Sequence, residues 1–123
     1  MRFAYLSLDV VNQELASRLA ARAGVRLNTL TFRDPVPNGP HDVVLYDLDF
    51  LPDNYRERLL DNLTSGAQSG RIAVHGYGLS LRIARALRRH GVFVARRLRG
   101  NLFQRLHDRS KMVFPAASGQ GSR

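Results

Sequence analysis

The stretch "HDVVLYDLDFLP", residues 41–52, constrains the fold more than any other part of the chain. Residues 42–48 form a near-continuous apolar run of strand length. Such a run fits a strand covered on both faces, as in a parallel sheet whose crossovers are helices. The flanking segments agree. "RFAYLSL", 2–8, reads as a strand, and 10–23 as an amphipathic helix with Val11, Leu15, Leu19 and Ala23 on one stripe. Asp9 is placed to N-cap that helix and Gly24 to end it. "VRLNTL", 25–30, is a second strand, and a helix is expected over 54–64, after Pro52 and Asp53. "RIAVHG", 71–76, is the fourth strand, 79–90 a helix with Leu79, Ile83 and Leu87 inward, "VFVAR", 92–96, the fifth strand, and 101–109 the final helix.

Strands alternating with helices predict an α/β fold: a doubly wound, five-stranded parallel sheet of flavodoxin-like order 2-1-3-4-5. "TFRDPVPNGP", 31–40, holds three prolines and a glycine. The second helix is therefore expected to be missing or replaced by a Pro-rich loop. The domain is expected to span 1–111, with 112–123 a disordered tail of small and polar residues. In this fold functional groups gather at the carboxyl ends of strands 1, 3, 4 and 5. Ser7, Leu8, Asp9, Asp47, Asp49, His75 and Arg96 should then surround one crevice.

At 123 residues the chain is one domain, long enough to bury a core. It has no cysteine, which excludes disulfides and cysteine metal sites. No run approaches the roughly 20 apolar residues of a membrane span, and the N-terminus reads as a strand rather than a signal peptide, so a cytoplasmic protein is expected. The net charge of +9 is uneven: residues 71–111 carry +10 and the rest −1. That asymmetry points to an acidic partner; the alternative is a solvated basic face that aids solubility.

Three segments in order, "RFAYLSLDVVNQELASRLAARAG", "DVVLYD" and "VFVARRLRGNLFQRL", resemble the receiver domain of two-component response regulators over residues 2–109. The resemblance puts Asp47 at the phosphoryl-acceptor position. It also shows departures. The acidic pair that would hold Mg²⁺ with the acceptor is replaced by Ser7 and Leu8, with Asp9 one place too late. His75 stands where the family has Ser or Thr, Arg96 where it has Lys, and Arg97 where it has proline. The loop from Asp47 to Pro52 is one residue longer than the family's pattern. These departures imply a degenerate form, a pseudo-receiver, in which Ser7, Asp9, Asp47, His75 and Arg96 are the remnant of the pocket. Asp47 becomes a relic expected to pair with Arg96, because a partly buried carboxylate calls for a cation. Asp49 is expected to face solvent.

Other chemistry finds little support. His41, His75, His90 and His107 show no metal-ligand spacing, and His75 is expected to be packed and hydrogen-bonded rather than catalytic. "HGYGLS", 75–80, has two glycines after strand 4, a tight turn with Ser80 near the cap rather than a dinucleotide fingerprint. Phe93 falls where receivers often carry a coupling aromatic; core packing is the expected role. No metal, cofactor or enzymatic activity is expected.

The basic segment has more to say. Arg82, Arg85 and Arg89 share one helix face, Arg97 and Arg99 follow strand 5, and Arg105 and Arg109 share a face of the last helix. In receivers this region usually carries output. The resemblance thus implies a non-enzymatic signalling module that docks an acidic partner protein through these arginines, independently of Asp phosphorylation. The alternative is nucleic-acid binding by the same face, although no helix-turn-helix, RRM, KH or zinc-finger signature is present. A small enzyme on this fold lacks an identifiable nucleophile–base pair.

Overall fold

The computed structural model describes residues 2–31, 33, 43–66 and 71–113. The strands are β1 (Arg2–Leu6), β2 (Arg26–Leu30), β3 (Val43–Asp47), β4 (Ile72–His75) and β5 (Phe93–Ala95). They form one parallel sheet of order β2-β1-β3-β4-β5, as the alternation predicts. The described helices are α1 (Val10–Arg22), α2 (Asp53–Thr64), α3 (Leu81–Arg89) and α4 (Leu102–Val113), with a 3₁₀ turn at Leu48–Phe50. α4 runs past the expected end at 109. Most of the Pro-rich segment, with His41 and Asp42, and the tail from 114 on lie outside the described residues.

Caps act where the sequence places them. The Asp9 carboxylate accepts from the Asn12 amide at 3.1 Å and starts α1. The chain leaves α1 through Gly24, whose φ of +69° is a left-handed conformation that glycine adopts without steric cost. Ser80 Oγ accepts from the Ile83 amide at 3.2 Å and starts α3.

The pleat divides the strands' side chains between two cores. On one face Phe3, Tyr5, Val43, Leu45 and Ala73 pack under α1 and α4, where Phe3 meets Phe103 edge to face at 6.3 Å. On the other, Ala4, Leu6, Val44, Tyr46 and Val74 pack under α2 and α3. β3 is buried at every residue, which explains its unbroken apolar run.

Two helix faces differ from the expected stripes. Val11 is 70% exposed, and α1 docks through Ala16, Leu19 and Ala20, with Leu15 and Ala23 at the margin. In α3 the buried residues are Ala84 and Leu87, while Ile83 is exposed. Helices that lie close on a sheet set small side chains beneath them, and alanine adds little to an apolar stripe read from sequence.

Candidate functional site: a buried carboxylate cluster and an arginine face

Parity in the strands builds the cluster. Tyr5 in β1, Asp47 at the end of β3 and His75 at the end of β4 point to the α1 side, and Asp47 lies opposite His75 in the register. Ser7 follows β1 with the same parity. α1 begins beside them, and its first turn, set by the Asp9 cap, delivers Asn12.

Asp47 is fully buried. Its Oδ2 accepts from Ser7 Oγ at 2.8 Å, Asn12 Nδ2 at 2.9 Å and the Tyr5 hydroxyl at 3.2 Å. Its Oδ1 accepts from the Asp49 amide at 3.1 Å. Tyr5 also lies 2.7 Å from His75 Nε2, with the two rings stacked at 5.6 Å. One phenolic proton cannot serve both neighbours. With Tyr5 donating to Asp47, His75 carries its proton on Nε2 and donates to Tyr5. Burial pushes the His75 imidazole below its ordinary pKa, against the opposing pull of Asp47 and Asp49. Burial, then the Asp47 charge, pushes the Tyr5 phenol up, so it stays a neutral donor. His75 Nε2 lies 3.8 Å from Asp47 Oδ1, but a neutral ring makes this a polar contact, not an ion pair.

Around this core the loops interlock. The Ser7 hydroxyl accepts from the Asp9 amide, and Gln13 Nε2 donates to the Ser7 carbonyl at 2.7 Å. Asp49 is exposed, as expected, yet its Oδ2 accepts from the Tyr77 amide at 2.8 Å and ties the loop after β3 to the loop after β4.

The expected Asp47–Arg96 pair is not formed; among the described residues no ion pair joins them. Arg96 is exposed and lines a groove with Leu81, Ala84 and Arg88 on the α3 side. His75 and Ala95 lie opposite each other, so Arg96, one residue on, has the opposite parity to the cluster. Neutral donors surround the carboxylate instead of a cation. Leu8 is 43% exposed and Asp9 is occupied as a cap, so neither joins the cluster. Tyr5 and Asn12 belong to it but were not singled out by sequence. The available signals were the shared parity of Tyr5 with Ser7 and the place of Asn12 three residues after the cap.

An Mg²⁺ site of receiver type does not fit these residues: Leu8 offers no ligand, and the Ser7 hydroxyl is already donated to Asp47. Asp47, Asp49 and His75 each place one potential ligand atom within 4.8 Å of the others. That trio escapes a spacing search because its members come from separate loops. Its buried ligand atoms already hold hydrogen bonds from Asp49, Ser7, Asn12 and Tyr5.

The arginines form a second site. Arg82, Arg85, Arg89, Arg97, Arg99 and Arg105 are all exposed, as is Arg88. Arg97 lies over the Tyr77 ring at 5.1 Å and Arg105 over Phe93 at 5.1 Å. Arg109 departs from the expectation of a free surface cation. It is half-buried over Phe93, donates from Nη2 to the Gly91 carbonyl at 2.8 Å and, among the described residues, leaves Nη1 buried without a partner. Its role is to clamp α4 to the end of α3. Phe93 packs against the α1–α4 core beneath these two cations.

No protein-family model matches the chain, and no curated protein does. Among solved structures the chain is similar to a crystal structure of a response regulator receiver domain from Rhodospirillum rubrum. The two share 16% identity over 98% of this chain and 96% of that one, with a TM-score of 0.57. With the strand order and the parallel register, that likeness gives the chain the fold of a response regulator receiver domain.

Proposed function

We propose that the protein is a non-enzymatic signalling module, a pseudo-receiver that docks an acidic partner protein through α3, β5 and α4. The observation that carries this reading is the face of exposed arginines, none of them in an ion pair among the described residues. Cations left without local acids favour an oppositely charged partner and speed its encounter. Arginine, with its planar fork, suits carboxylate or phosphate groups on that partner.

Independence from Asp phosphorylation is supported by the state of Asp47. Phosphoryl transfer needs an exposed oxygen and a metal to neutralise charge. Asp47 is fully buried, and three donors surround its Oδ2. Mg²⁺ with beryllofluoride, a phosphoryl mimic, should leave the amide resonances around Asp47 unshifted; clear shifts there would remove this part of the reading.

Docking is tested by capture after nuclease treatment, with wild type beside a variant carrying Arg82→Glu, Arg85→Glu and Arg89→Glu. A discrete protein held by wild type and lost by the variant supports the reading. Material that disappears with nuclease would instead make the face a nucleic-acid site, with exposed Tyr77 and its stacked Arg97 as the available platform.

A further inference from the structure

We propose that the groove between β5 and α4 recognises a phosphoryl group on a side chain of the acidic partner; this rests on the docking reading above. The groove, about 660 Å³, is lined by Arg96, Arg97, Arg99 and Arg105, together with Gly100 and Asn101. None of the four arginines is in an ion pair among the described residues. The acid of this region, Asp108, engages Gln104 and His107 on α4.

The same groove receives the start of α4. Gly100 takes a φ of +61° and turns the chain into the helix, and no acidic residue stands in its first turn. The first amides of a helix have no intrahelical acceptor, and the dipole adds positive potential there. Four arginines and a helix start therefore line one space. A single carboxylate would leave most of that charge uncompensated. A phosphoryl group carries about two negative charges near neutral pH and three strong acceptor oxygens, which suit several forked donors at once. Val94, Ala95 and Leu102 complete the lining, and among the described residues no aromatic ring lines the groove to stack a base. That favours a phosphorylated side chain over a nucleic acid.

The test titrates the isotope-labelled full chain with an acidic peptide carrying phosphoserine, with the same peptide carrying glutamate at that place, and with a short DNA strand. The phosphopeptide should bind about tenfold tighter than the glutamate peptide, the scale of one added charge-assisted hydrogen bond. Amide shifts should centre on residues 96–102. Arg96→Ala with Arg99→Ala should abolish the preference, while Arg18→Ala with Arg22→Ala, on α1, should keep it. All four side chains are exposed, so both variants should fold. Equal binding of the two peptides overturns the phosphoryl inference and leaves docking standing if the capture above succeeds. Tighter binding of the DNA, or no shift at 96–102 with the phosphopeptide, also overturns it. Failure of both peptides together with failure of the charge-dependent capture overturns both readings.

Discussion

Asp47 shows how a buried carboxylate can be held without a cation. Ser7, Asn12, Tyr5 and the Asp49 amide supply donors from three segments that meet only in the folded state. Asp47→Ala would orphan buried donors at once and should cost about 2–3 kcal/mol in urea unfolding. Asp47→Asn should cost only about 1 kcal/mol, because the hydroxyls of Ser7 and Tyr5 can rotate and the Asn12 amide can flip. An equal loss for both variants would mean that the charge, not the hydrogen bonding, matters. His75 adds a pH dependence. Its pKa is lowered in the folded state, chiefly by burial, so the unfolded chain binds the extra proton first. The stability is present above the ordinary histidine value of about 6.5 and is lost as pH falls below it. The urea midpoint should therefore fall between about pH 7.5 and about pH 5, and His75→Gln should flatten part of that slope. The place of Asp47 was legible from "DVVLYD", but its partners were not. A rule of charge pairing favours Arg96, whereas the register gives Arg96 the opposite parity to Asp47 and His75.

At the scale of elements, punctuation was more legible than faces. Asp9, Gly24 and Ser80 do at the helix ends what their residue types predict. The faces of α1 and α3 differ from their apolar stripes because Val11 and Ile83 weigh heavily in such a stripe, whereas Ala16, Ala20 and Ala84 make the close approach to the sheet. The cap of α1 has a second consequence. It orients the first turn from which Asn12 reaches Asp47 at 2.9 Å. Asp9→Ala should cost about 1 kcal/mol as a lost N-cap. If the cap also positions Asn12, its effect should be non-additive with Asn12→Ala, and a double-mutant cycle in urea reads that coupling directly. Additive losses would confine Asp9 to the helix end. The segment between β2 and β3, where sequence predicts a loop in place of a helix, lies largely outside the described residues.

Across the whole molecule the two sites put charge to opposite uses. The carboxylate cluster lies inside and is satisfied, while the arginines lie outside, and residues 71–111 carry a net +10. Such a surface repels itself, and salt screens that repulsion over a Debye length of about 8–10 Å. Raising sodium chloride from about 20 mM to about 500 mM should therefore raise the melting temperature by a few degrees, on the order of 1 kcal/mol. Arg85→Glu, on the exposed face of α3, should melt higher than wild type at low salt and gain less from added salt. Binding of an acidic partner should respond in the other direction and weaken as the same salt screens the attraction. The opposed signs separate a surface kept positive for association from one whose charges stabilise the fold through ion pairs. If salt instead lowered the melting temperature and Arg85→Glu destabilised the protein, the arginines would be serving the fold, and the case for an external acidic partner would lose its physical basis.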